Sequence, residues 1–192
     1  MGPPCPDGVV RPIIQHFLCW DLGSNPSQGI YFPKMKKQLK KKINVKVLIF
    51  SLLITYFVGF IGSIFTSKNT KSEWYNSIRP SITPPNIVFP IVWNILFFLI
   101  GLSLAYSWLK AKSKIKTAVF YGINFALNII WSVFYFAMKN PLLAFFDIIL
   151  LIASTLYLII YNWKIDRKAS YLLMPYLLWL LFASILNFLS IR

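Results

Sequence analysis

The chain is nearly devoid of the side chains that hold metals and drive acid–base chemistry. Its single histidine, His16, and both cysteines, Cys5 and Cys19, lie within the first twenty residues of 192. The remaining sequence therefore cannot build a disulfide framework or a Cys- or His-based metal site, and no metal site is expected. Acidic residues are scarce as well: five Asp and Glu stand against twenty Lys and Arg. With so few carboxylates and no thiol or imidazole outside the first twenty residues, no ordinary general-acid, general-base or nucleophile constellation can be assembled there. Charge of either sign makes up only 13% of the chain, where a soluble domain carries about a quarter.

Apolar and aromatic residues dominate instead. The chain is 57% hydrophobic and 18% aromatic, with a mean hydropathy of +0.63, which marks an integral membrane protein. The net charge of +15 invites a nucleic-acid partner, but none is expected. The basic residues gather in the N-terminal region and in short gaps between apolar runs, as the positive-inside rule requires. No aromatic-basic groove for a strand is visible.

Residues 1–34 are rich in Pro, Gly and Ser, lack any period and lack a signal-peptide layout. A basic stretch followed by an apolar one begins only at Met35, so Met35 is a candidate true start. Residues 1–42 are expected to be a disordered, basic extension, followed by one membrane domain over 43–192. Apolar runs at about Ile43–Phe65, Ile87–Leu109, Thr117–Met138, Leu142–Trp163 and Ala169–Ile191 are each about the 20 residues that cross a bilayer. The expected fold is all-α, a bundle of five transmembrane helices. Gly59 and Gly62 permit close helix approach in the first run. Asn140-Pro141 reads as a cap and a first helical residue. Pro175 should bend the fifth helix. The lysines before the first run and in the second-to-third and fourth-to-fifth gaps place the N-terminus inside and the C-terminus outside.

Between the first two runs lies WYNSIRPSITPPNIVFPIVW, Trp74 to Trp93, with four prolines and an arginine. Pro84 and Pro85 cannot lie within a helix, and Thr83 is pushed toward an extended conformation. The segment is either a stiff lid over a pocket or a well-ordered connector. Within the spans, Asn124, Asn128 and Trp131 share one helical face by their spacing, as do Tyr176, Trp179, Ala183 and Asn187. Trp93, Asn94 and Phe97 follow the prolines. The asparagines act either as interhelical glue, worth about 0.6–2 kcal/mol each, or as ligand contacts. Trp108 and Trp163 abut basic gaps, as interfacial anchors do. Asp147 is the one acid deep in a span; it is either a packing residue or a proton carrier. Aromatic faces suit a large, flat, mostly apolar ligand, with Arg79, Lys71 and Lys68 at the rim for its carboxylates.

These motifs resemble the TspO/MBR family, the tryptophan-rich sensory and translocator proteins. The resemblance rests on Trp74-Tyr75, Arg79-Pro80, Thr83–Pro85, PIVW at Pro90–Trp93, ALNIIW at Ala126–Trp131, NPLLAFFD at Asn140–Asp147, PYLLW at Pro175–Trp179 and FASILN at Phe182–Asn187. It implies a five-helix bundle, usually a homodimer in the bilayer, that binds porphyrins such as protoporphyrin IX or haem and requires no further cofactor. By position, the pocket residues it implies are Trp93, Asn128, Trp179 and Ala183, under a loop carrying Trp74, Tyr75, Pro84 and Pro85. Trp131 and Tyr176 join them from the helical spacing above, and Arg79 from its place at the rim. Some bacterial relatives degrade porphyrin under light, which would give Trp93 and Trp179 a catalytic part. A sterol motif is incomplete, because Phe188 stands where its Tyr belongs. Three functions follow as alternatives: a porphyrin sensor or transporter, a light-dependent porphyrin-degrading enzyme, and a structural scaffold.

Overall fold

The computed structural model describes residues 44–191. The expected extension over 1–42, the candidate start at Met35, the first residue of the first expected run and Arg192 lie outside the described residues. Every regular element among the described residues is helical. Among the described residues, five helices are long and apolar enough to cross a membrane, so the expected all-α bundle of five transmembrane helices is what forms.

Helix α1 spans Val45–Asn69, and its first turn is capped by Asn44, whose Oδ1 accepts from the Lys46 amide. A six-residue helix α2, Glu73–Ile78, follows, capped by Ser72. Sequence patterning expects an irregular loop here. The structure instead folds its first half into a helical turn, since Ser72 supplies a cap and Tyr75 has a buried site to enter. The loop proper runs over 79–87. Helix α3, Val88–Lys110, starts three residues after Pro85, and Pro90 sits harmlessly in its first turn. Helix α4, Lys114–Ser132, passes into a π-helical turn, Val133–Ala137. Helix α5, Pro141–Trp163, begins with the Asn140 cap and Pro141 in the first turn, as the sequence predicts. Helix α6, Arg167–Leu189, continues through Pro175 and is capped by Asp166.

Neighbouring helices close a ring in the order α1, α3, α6, α5, α4. Lipid tails are as apolar as leucine, so burial alone does not drive this association. Close approach does. Gly101 of α3 lets Leu52 and Thr55 of α1 press against its backbone, Gly59 admits the Phe97 ring, and Gly62 faces Ser132. Outward side chains such as Phe50, Phe57 and Leu178 remain exposed for lipid. Between α4 and α5, Asn124 donates to Ser154 Oγ and Thr155 Oγ1, at 2.7 and 2.9 Å; it serves as interhelical glue.

At the end of the bundle that carries Lys110 and Lys164, a chain of buried hydrogen bonds crosses four helices. Asn162 of α5 donates to the Tyr121 hydroxyl of α4 at 2.9 Å. Tyr121 in turn bonds Ser103 Oγ of α3 at 2.7 Å, and Ser103 donates to the Ala169 carbonyl of α6 at 2.7 Å. The Lys110–Asp166 ion pair, 2.9 Å, lies at the same end.

Candidate ligand-binding site

The opposite end of the bundle is hollow. A cavity of about 530 Å³ lies between α1, α3, α4 and α6, beneath α2 and the proline loop. Its wall is aromatic: Phe89, Trp93, Phe97, Trp131, Tyr135 and Phe136 line it. Among the described residues that line it, none carries a charge. The polar groups include the amides of Asn86, Asn94, Asn128 and Asn187, a row of hydroxyls along α1, and the hydroxyls of Tyr75, Thr83, Ser132 and Tyr135.

The wall is held in place from behind. Trp93 stacks on Phe97, with centroids 5.3 Å apart and planes 27° from parallel, and meets Tyr176 edge-on at 6.3 Å. Tyr176 is fully buried, and its hydroxyl accepts from Asn128 Nδ2 at 3.1 Å. Trp131 stacks on Tyr135 at 5.3 Å. Its indole N–H donates to Asn187 Oδ1 at 3.1 Å, and Asn187 Nδ2 donates to the Pro141 carbonyl at 2.8 Å. With Trp131 fixed by a stack and a hydrogen bond, and Trp93 held between the rings of Phe97 and Tyr176, both indoles have little rotamer freedom left, so the cavity is preformed.

Of the sequence-predicted site residues, Tyr75, Trp93, Asn128, Trp131 and Ala183 come together in the wall. Tyr176 stands one layer behind it. Trp179 is also outside the lining; it touches the lining residue Phe89 edge-on at 5.9 Å. Trp74 sits in the lid, against Tyr135 at 6.0 Å. Pro84 and Pro85 lie in the lid loop, outside the lining. Arg79 turns inward on its own loop: Nη2 donates to the Pro84 carbonyl at 2.7 Å and to that of Thr83 at 3.3 Å. The guanidinium thus splints the loop that the prolines stiffen. Tyr75 beneath it is buried against Phe136, 5.9 Å between centroids. Burial pushes its phenol above the ordinary value, and the nearby Arg79 charge partly opposes this. Asp147 of α5 is buried outside the cavity lining, and its Oδ2 has no hydrogen-bond partner among the described residues.

Helix α1 was not anticipated as a wall. Gly59, Gly62, Ser63 and Thr66 line the cavity. Their spacing of three and four residues put small and polar groups on one helical face, a signal that was present in the sequence. Tyr135 and Phe136 were missed as well, since both enter the wall through the π-helical turn.

Comparison with known proteins agrees with this architecture. A model of the TspO/MBR family matches residues 51–192. The tryptophan-rich protein TspO of Archaeoglobus fulgidus is 39% identical over 150 residues, covering 76% of this chain and 95% of the relative. The tryptophan-rich sensory protein of Cereibacter sphaeroides is 32% identical over 147 residues, covering 74% and 90%. The translocator protein of Ovis aries is 30% identical over 139 residues, covering 68% and 79%. The matched region takes in most of the first membrane helix, the lid and the other four membrane helices, and the chain belongs to the TspO/MBR family.

Proposed function

We propose that this multi-pass membrane protein binds a flat, mostly apolar tetrapyrrole of the porphyrin type beneath its lid, as a sensor or carrier that needs no further cofactor. One observation supports this above the others: an uncharged cavity of about 530 Å³ walled by stacked, hydrogen-bonded aromatics. Small-molecule sites have this size and this mixture of apolar wall with a few fixed polar groups. A macrocycle would lie against Trp93 and Trp131. Its carboxylates would project past the uncharged wall toward the loop that carries Arg79.

The protein is read as a homodimer in the bilayer, with no nucleic-acid partner. The basic end, with Lys110, Lys112, Lys114, Lys164 and Lys168, faces inside, and the lid faces outside.

Among the described residues, the wall offers no imidazole or thiolate, the commonest strong axial ligands of haem iron. Metal-free protoporphyrin should therefore bind about as well as haem in a titration followed by quenching of tryptophan fluorescence. Its dimethyl ester should bind within about fivefold of the free acid, because a solvent-exposed carboxylate pair is worth at most about 1 kcal/mol. Binding that strictly requires iron overturns the reading.

A second reading, light-dependent porphyrin breakdown, draws on Trp93, which lines the cavity, and on Trp179, joined to it through Phe89. Absorbance of the complex in light and in darkness separates the two readings. Product formed only in light and lost in Trp93→Phe and Trp179→Phe favours the enzyme.

A further inference from the structure

We propose that the basic end of α5 and α6 holds a specific site for one anionic phospholipid, distinct from the cavity under the lid. A shallow apolar groove of about 230 Å³ is lined there by Ile159, Ile160, Trp163 and Lys164. It lies on the outer surface, where Ile160 and Trp163 are exposed, so in a membrane its occupant is a lipid chain. The groove is built and held. Trp163 is gripped edge-on by Tyr171, with centroids 5.4 Å apart, and covered by the Arg167 guanidinium 5.6 Å above its ring. The Ile159 carbonyl accepts a 2.8 Å hydrogen bond from Ser170 Oγ, which ties the groove to the first turns of α6.

Charge selects the headgroup. The connecting turn carries Lys164, Arg167 and Lys168, all exposed. Its one acid, Asp166, is withdrawn from them: Oδ2 pairs with Lys110 at 2.9 Å, and Oδ1 caps α6 by accepting from the Lys168 amide. The three cations are left uncompensated among the described residues, beside an apolar slot. An acyl chain in the slot would place a phosphate beside Lys164 and Arg167. A guanidinium held over an indole face keeps N–H groups available to phosphate oxygens, and lysine can lay its apolar stem along the chain. A zwitterionic lipid brings its own ammonium to the same place and loses that advantage.

The test uses the full chain in phosphatidylcholine bilayers, with lipids brominated on the acyl chains as quenchers. The Trp163 signal is taken as the difference between the wild-type protein and Trp163→Phe. Brominated phosphatidylglycerol should quench this signal at a mole fraction several-fold lower than brominated phosphatidylcholine does. Lys164→Gln with Arg167→Gln should abolish the preference, since each basic residue near an anionic surface contributes about a fivefold factor. Lys164→Gln alone, a change at an exposed position, should cost about fivefold and stands in if the double variant fails to fold. Lys164→Arg should keep the preference. Equal quenching by the two lipids overturns the proposal, as does a preference that survives removal of the charges. Displacement by millimolar inorganic phosphate also overturns it, because the site would then take a free anion.

Discussion

The helix contact at Gly101 is open to a quantitative test. A Cβ placed there would lie 2.7 Å from Leu52 Cδ2, 2.8 Å from Thr55 Oγ1 and 3.2 Å from the Leu52 Cα. The last is backbone and cannot rotate away. Thr55 Oγ1 is also held, by 3.0 Å hydrogen bonds to the carbonyls of Ser51 and Leu52. Two effects compete in Gly101→Ala. Helix propensity favours alanine by about 0.8–1.0 kcal/mol, and overpacking a tight contact costs about 1–3 kcal/mol. Gly122 supplies the control, because a Cβ there meets nothing within 4 Å. Gly122→Ala carries the propensity gain alone, so the difference between the variants isolates the steric cost. Equilibrium unfolding in mixed micelles, followed by far-ultraviolet circular dichroism, should place Gly101→Ala about 1–3 kcal/mol below Gly122→Ala. Equal stability of the two would refute close α1–α3 packing. Gly59→Ala extends the series to function. Its Cβ would overlap the ring of Phe97, which can turn aside, but Phe97 is the ring on which Trp93 stacks. That variant should weaken porphyrin binding by roughly two- to tenfold, the value of one aromatic pair.

Arg79→Gln should remove the splint across Thr83 and Pro84 while leaving the cavity wall intact. Bonds from a charged donor are worth about 1.5–3 kcal/mol, so ligand dissociation measured by stopped-flow fluorescence should accelerate by roughly tenfold or more; an unchanged rate would return the loop to the status of a connector. Tyr75 gives a pH signature. Its folded-state value is raised above the ordinary 10.0, so its contribution to stability is fully present below about pH 10 and is lost as pH rises through the raised value. The melting temperature of the wild-type protein should fall relative to Tyr75→Phe above pH 10 and run parallel to it between pH 7 and 9. Lys139 has φ of 51°, in the left-handed region that glycine occupies without strain. Lys139→Gly should therefore raise stability by up to about 1 kcal/mol in the same unfolding assay, and a loss would show that the lysine side chain contributes there.

Span positions were legible because membrane helices announce themselves by length. Expected and observed boundaries of the later four helices differ by three residues or fewer at each start, and Asn140-Pro141 begins α5 in the way its chemistry dictates. Aromatic faces carrying Trp93, Asn128, Trp131 and Ala183 were legible from helical spacing and family motifs. What escaped depends on contacts between distant segments. The α2 turn forms because Tyr75 finds Phe136, which no local pattern in a proline-rich stretch reveals. The π-helical turn inserts a residue into a run of aromatics whose period cannot register it. Read from the sequence, Arg79 is free to meet a ligand, because sequence gives a cation's position along the chain but not the carbonyls that fold back toward it.

The buried bond chain from Asn162 through Tyr121 and Ser103 to the Ala169 carbonyl has a consequence for traffic. It works like a drawstring, with one knot on each of four helices and none reachable by water. Each bond is modest, about 0.6 kcal/mol on average in a bilayer. Yet a solute moving lengthwise would have to part all four helices together, since loosening any one leaves the others tied. The fold is therefore laced shut by its own side chains at the basic end, while the cavity lies at the other end, beneath the lid.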